Sequence, residues 1–314
     1  MEVCDLLIIG GGPAGLTAAI YGVRGELETI VLESEIPGGQ MNLSGKIENY
    51  PGFESITGYE LSLKIKKHAE SCGAVIKSPE MATEINFEDN YIIVKSEKED
   101  YKAKSSIIAS GVRPKELGVP GEKSLVGRGV SYCTVCDAPF FKDKKVVVVG
   151  RSMPAVLGAL TLEKIASEVK LLVNGEKLLA TAGESLMTRW LERSSVKTLW
   201  NTEVKEILGD THVEGVLVKD KEKEYIIETD GVFIQSGKVP NSEIARKAGI
   251  KVDRKGFILV DEHMRTNKKG VFACGDVTGG VMQLTVAMGE ATIAAINAYN
   301  YCCEFNRKVL GKPC

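Results

Sequence analysis

Short continuous apolar runs, each closed by glycine or an acid, alternate along the 314-residue chain with longer stretches of helical period. The first run, Leu6-Leu7-Ile8-Ile9, reads as a buried strand that enters Gly10-Gly-Gly-Pro-Ala-Gly15 and then a helix to about Arg24. A second strand over Glu28 to Leu32 ends in Glu33. Two polar, turn-rich stretches follow, Pro37-Gly-Gly-Gln40 and Glu48-Asn-Tyr-Pro-Gly52, longer than a simple crossover needs, as loops that hold something often are. Helical period returns at Gly58 to Cys72, and alternating strands run from about Val75 to Ser110. The glycine-rich stretch 115–132 reads as a linker.

Beyond it the pattern repeats. Lys145 to Gly150 carries four consecutive valines and leads into a helix from Pro154 to about Ile165 and a strand over Val169 to Val173. Strand, glycine turn, helix, strand thus occurs twice, which predicts an α/β chain with two Rossmann-type units, the second closing near Gly231 to Pro240. Residues 265–276 form a further strand ending in Asp276, an alanine-rich helix spans Thr285 to Tyr299, and a tail runs from Asn300 to Cys314.

The two turns differ in chemistry. Gly10, Gly12 and Gly15 fit a dinucleotide fingerprint: a tight turn, an approach of backbone to pyrophosphate, and close helix-strand packing, with Glu33 where an acid holds a ribose hydroxyl. The second turn, Gly150-Arg-Ser-Met-Pro-Ala155, keeps one glycine and sets Arg151, Ser152 and Met153 over the ground a pyrophosphate would need. Directly before this second unit lies Cys133-Thr-Val-Cys136-Asp137. Alone, such a spacing fits half a zinc site, a structural disulfide or a redox pair. Asp137 is the adjacent acid for the redox reading, since exchange needs a thiolate and therefore a proton acceptor.

Composition narrows the field. Apolar residues make up 44% and charged ones 26%, and 40 basic against 42 acidic side chains leave a net charge of -2, so neither nucleic acid nor a membrane surface is expected as the main partner. No apolar run reaches bilayer length and the first follows acidic residues, which sets the expected address in the cytoplasm. Eight cysteines there argue against a disulfide framework; Cys4, Cys72 and Cys274 read as core residues, while Cys302, Cys303 and Cys314 have no evident role. Three scattered histidines and a single C-x-x-C make a metal site unexpected.

Taken together, Gly10 to Gly15, Pro37 to Gln40, Glu48 to Gly52, Cys133 to Asp137, and Gly275-Asp-Val-Thr278 with Gln283 resemble the low-molecular-weight thioredoxin reductases over nearly the whole chain. The resemblance implies an FAD domain built from 1–115 and 243–314, with an NAD(P)-like domain, 116–242, inserted into it and carrying the dithiol. It implies FAD held by Gly10, Gly12, Pro13, Ala14, Gly15, Glu33, Gly39, Gln40, Asn49, Ile85, Gly111, Asp276, Gln283 and Leu284. It further implies Cys136 as the flavin-facing sulfur, Cys133 as the one that attacks thioredoxin, Asp137 as the acid, and a homodimer.

Departures from that family are as informative. NADPH-dependent members carry Gly-Gly-Gly-Asp-Ser-Ala at the second turn and arginines after the second strand; here the latter stretch is Val173-Asn-Gly-Glu-Lys-Leu-Leu179, without arginine. Two acids of those members become Leu157 and Gly158. The chain therefore looks like the ferredoxin-dependent flavin thioredoxin reductases, in which electrons reach FAD singly from a ferredoxin. Three other readings stand beside it: an NADH-dependent reductase using Glu176 on the ribose, a flavin-dependent dithiol oxidase using oxygen, and an FAD-binding redox sensor. For the tail, Tyr299, Tyr301 and Phe305 either cover an open flavin face or pack as structure.

Overall fold

In the computed structural model, which describes residues 1–44, 47–179 and 184–311 but not the side chains of Leu43, Val135, Cys136, Glu184 and Ser185, the chain divides into two compact units. One comprises Met1–Arg113 with Val239–Cys314, the other Pro114–Lys238. The sequence reading sets these crossings at 115/116 and 242/243.

The first unit opens with β1 (Glu2–Ile9), α1 (Pro13–Arg24) and β2 (Thr29–Leu32), continues through α2 (Gly58–Cys72) and β3 (Val75–Lys77), and then a meander of β4 (Ala82–Glu88), β5 (Tyr91–Ser96) and β6 (Asp100–Ile108). The strand β7 (Val112–Pro114) carries the chain out of this unit. The apolar run of β1 is buried on both sides because β1 lies inside a sheet ordered β3-β2-β1-β6-β5-β4. Leu6 and Ile8 point into one core and Leu7 and Ile9 into the other. The helix α2 is fixed at its start by a reciprocal Thr57–Glu60 capping box and at its end by Gly73 in the left-handed conformation.

In the second unit β8 (Val130–Ser131) precedes the four-residue helix α3 (Thr134–Asp137), then β9 (Lys145–Val149), α4 (Met153–Glu163), β10 (Glu168–Val173), α5 (Glu184–Glu192) and β11 (Lys197–Trp200). An antiparallel three-stranded sheet of β12 (Glu203–Leu208), β13 (Gly215–Lys219) and β14 (Glu224–Glu228) comes next, and β15 (Gly231–Ile234) completes a parallel sheet ordered β11-β10-β9-β15-β8. The valines of β9 divide between two cores as the residues of β1 do, Val146 and Val148 to one, Val147 and Val149 to the other. The stretch 115–132 is no linker. Leu125 and Glu122 in it are each 1% exposed, and β8 belongs to the sheet, so those glycines serve turns inside a folded unit.

The chain returns through β16 (Lys238–Pro240), which pairs with β7, then α6 (Glu243–Lys247), β17 (Val271–Ala273) and α7 (Leu284–Phe305). The strand β17 joins the first sheet beside β6. The last helix runs past the expected Tyr299: Ala291, Ala295, Ala298, Cys302 and Phe305 continue one buried stripe, and a short π-helical turn over Asn306–Leu310 follows. Tyr301 lies over Gly270, where a Cβ would be 2.6 Å from the ring, and Phe305 packs edge-on against Tyr91 with ring centres 5.0 Å apart. These aromatics are committed to packing within the first unit. Among the described residues no helix is long and apolar enough to cross a membrane.

Candidate active site

In the first unit the residues expected around a dinucleotide gather where β1 gives way to α1. Gly10 has φ +106°, a conformation closed to most side chains, and a Cβ there would lie 2.4 Å from the Ala109 carbonyl oxygen. At Gly15 a Cβ would lie 1.8 Å from the carbonyl oxygen of Gly10, so the third glycine is the packing position. Gly12 is different: a Cβ would meet nothing within 4 Å, and its backbone is extended, so the protein itself does not demand glycine there. That open ground at the start of α1, next to Pro13 and the buried Ala14, fits a diphosphate.

Glu33 is 8% exposed; its Oε2 accepts from the Gly11 amide at 2.6 Å, its Oε1 from the Glu35 amide at 2.9 Å and from the Ser34 hydroxyl at 3.3 Å. A carboxylate offers about four acceptor sites, so three bonds leave capacity for a ribose hydroxyl. The loops after β2 join this frame. Gly39 passes Gly12 at a distance where a Cβ would be 3.3 Å from its Cα, the Gln40 amide donates to the Val112 carbonyl, and Asn49 donates to Gln283 Oε1 at 3.2 Å. Gly111 accepts from the Asn241 amide at 3.0 Å.

Asp276 lies in the turn Gly275–Thr278, whose first glycine packs on Ala14, with Leu284 opening α7 just beyond Gln283. Ile85 is 3% exposed within the core under β4, among the first unit's buried residues.

One residue of this frame escaped the sequence reading. Glu290, on α7, accepts from the Gly275 amide at 2.8 Å and from the Thr278 hydroxyl at 3.3 Å, tying the helix to the turn that bears Asp276. Burial, with the Asp276 charge adding to it, holds its carboxyl above the usual glutamate range. An acid beside Gly289 in an otherwise alanine-rich helix was the available signal.

The second unit holds the dithiol segment. Cys133 is disulfide-bonded and half-buried, with Thr134 to Asp137 forming α3 after it and the Asp137 amide bonded to the Cys133 carbonyl at 3.2 Å. The start of the segment is anchored twice. The Cys133 amide donates to Ser131 Oγ at 3.0 Å, and the Tyr132 hydroxyl donates to the buried Glu122 at 2.7 Å, which also accepts the Leu117 and Gly118 amides. Cys303 is disulfide-bonded as well, against the expectation that only a catalytic pair would be; Cys314 lies outside the described residues. The thiols of Cys4, Cys72, Cys274 and Cys302 are free. Burial pushes Cys302 up to about 12 and raises Cys4 and Cys274 too, so these three are poor exchange nucleophiles.

The second glycine turn is closed by its own chain. The Leu179 amide donates to the Arg151 carbonyl at 2.7 Å, and the Arg151 guanidinium donates to the Asn174 carbonyl at 3.3 Å, close enough to Gly175 that a Cβ there would be 3.0 Å from it. Glu176 is paired with Lys221 at 2.6 Å, which lowers its pKa.

Both units run a parallel strand through a glycine turn into a helix, and the chain belongs to the pyridine nucleotide-disulphide oxidoreductase family, whose model matches residues 4–291. It is 42% identical to a thioredoxin reductase of Bacillus subtilis over 306 residues, 96% of this chain and 95% of the relative. Among solved structures it is similar to a thioredoxin reductase of Lactococcus lactis (TM-score 0.80, 37% identity, 96% of this chain and 99% of the other). It is similar also to a ferredoxin-flavin thioredoxin reductase of Clostridium acetobutylicum (TM-score 0.52, 33% identity, 96% and 98%). FAD is the cofactor, and the residues around Gly12 and Glu33 fit it.

Proposed function

We propose that the protein is a thioredoxin reductase in which Cys133 and Cys136 relay electrons from FAD to thioredoxin, and that reduced ferredoxin supplies them. FAD, when bound, accepts electrons singly and gives them in pairs. Two electrons and two protons open the Cys133–Cys136 disulfide. The Cys133 thiolate then attacks the disulfide of thioredoxin, forming a mixed disulfide and releasing one thioredoxin thiolate. Cys136 attacks Cys133 in turn, closing the original ring and releasing thioredoxin as the dithiol. Asp137, adjacent to the pair, takes and returns the proton that each thiol must lose or gain. Gly10, Gly12, Gly15, Glu33, Gln40, Asn49, Asp276 and Gln283 serve to hold and orient the cofactor.

The donor assignment is carried by one observation, the closed second turn: Leu179 bonded to the Arg151 carbonyl and Arg151 laid on Asn174. A nicotinamide dinucleotide would need the ground at that turn and beyond β10, where the Leu179 backbone and the Arg151 side chain lie. Similarity to the ferredoxin-flavin enzyme supports the same reading. The rival donor, NADPH, is favoured by the several relatives that carry the plain name thioredoxin reductase. NADH fares no better on geometry, because Glu176 is already paired with Lys221.

Oxygen as acceptor, in a dithiol oxidase, predicts peroxide from a small dithiol. A non-catalytic redox sensor predicts no reoxidation of the reduced protein by thioredoxin. The proposal includes a cytoplasmic address and a homodimer, for which the exposed row Val286, Ile293 and Ile296 on one face of α7 offers an apolar surface. The test is steady-state reduction of thioredoxin by the purified protein with reduced ferredoxin, NADPH and NADH as alternative donors; turnover with ferredoxin alone is expected, and efficient turnover with NADPH overturns the donor.

A further inference from the structure

The residue after β15, Gln235, reaches the dithiol segment that follows the neighbouring strand β8. Its Nε2 lies 3.2 Å from the Tyr132 carbonyl oxygen and 3.3 Å from the Thr134 hydroxyl, the two residues that flank Cys133. A backbone carbonyl only accepts, so the amide nitrogen must be the atom that faces it, and its two hydrogens match the two acceptors. The backbone of Gln235 is itself fixed: its amide donates to the Val149 carbonyl at 2.8 Å, and its carbonyl oxygen would lie 2.5 Å from a Cβ at Gly150. The helix α4 closes on the same segment. A Cβ at Gly158 would sit 2.8 Å from Thr134 Oγ1, so the helix approaches α3 as closely as it does only because position 158 is glycine.

We propose that Gln235 is a positioning residue for the exchange pair: by clamping the residues on both sides of Cys133, with Gly158 as the floor, it sets how readily the disulfide opens. The inference rests on reading Cys133 as half of the exchanging pair. Whether a dithiol closes depends on how closely the backbone presents one sulfur to the other. Removing a clamp on residues 132 and 134 frees the chain around Cys133 in the open form and shifts the equilibrium toward the dithiol. The pair then becomes a weaker reductant of thioredoxin. None of these atoms belongs to the first unit, so flavin content stays unchanged.

The experiment is a redox titration of the flavin-loaded protein against dithiothreitol couples, read by alkylation and mass measurement of the peptide bearing Cys133. Gln235→Ala is expected to weaken ring closure about tenfold, an upward shift of ~30 mV, with slower reduction of thioredoxin. Gln235→Glu keeps the shape but, ionised, has no hydrogen to donate, and is expected to shift in the same direction. Gly158→Ala, which pushes Thr134, is expected to move the same equilibrium. Wild-type equilibria in both Gln235 variants, or in Gln235→Glu alone, overturn the proposal, the latter because side-chain volume would then suffice. Should the wild-type protein show no two-electron titration at Cys133, the relay reading itself fails, a result separable from any effect at Gln235.

Discussion

A Cβ at Gly12 would meet nothing within 4 Å beyond its chain neighbours, whereas one at Gly15 would lie 1.8 Å from the Gly10 carbonyl oxygen. The two positions therefore separate cofactor binding from folding. Gly12→Val is expected to fold with a nearly unchanged thermal midpoint yet purify without flavin colour, because the added methyls occupy only the ground meant for the diphosphate. Gly15→Val is expected to lose several kcal/mol, roughly 3 or more, since backbone must move to admit it. Absorbance of the purified variants and their melting curves check both; a yellow Gly12→Val with full flavin content contradicts the assignment. At the dithiol, Cys133→Ser and Cys136→Ser should keep flavin, whose proposed site lies in the other unit, while thioredoxin reduction falls to background. Wild-type turnover in either variant removes the relay.

Among the elements, α7 carries more than its packing stripe. Its Glu290 braces the Gly275–Thr278 turn, and burial favours the protonated carboxyl in the folded state. In the window from the ordinary glutamate value of 4.5 up to the raised folded value, the folded state thus binds more protons than the unfolded one, and stability falls as pH rises. Glu290→Gln removes that dependence: the difference in thermal midpoint between wild type and variant should change across the window and level off above it. A difference that is flat with pH contradicts the role.

The elements themselves were mostly legible, because Leu6 to Ile9 and Val146 to Val149 are uninterrupted apolar runs that only a strand covered on both faces accommodates. The stretch 115–132 was not, since its glycines conceal two buried anchors: Glu122, which gathers Leu117, Gly118 and Tyr132 within the stretch, and Leu125, which packs on strands elsewhere in the unit. The end of α7 was missed because Asn300 reads as a stop while Cys302 and Phe305 continue the buried stripe. Gln235 could not be found at all from its neighbours. Its targets are about a hundred residues away, and only the pairing of β15 beside β9 and β8 brings them together.

For the molecule as a whole, the central claim concerns where its electrons come from. Each unit has a glycine turn, but one is open at Gly12 and the other is closed on itself at Arg151. Ferredoxins are generally acidic, so a ferredoxin-driven rate should fall as salt rises, whereas exchange with a small dithiol should not. The most direct measurement is anaerobic reduction of the purified yellow protein in a stopped-flow cell, following flavin absorbance with millimolar NADPH, millimolar NADH or micromolar reduced ferredoxin. The closed turn predicts bleaching by ferredoxin and an oxidised flavin with either nicotinamide; fast, saturable bleaching by NADPH would contradict it.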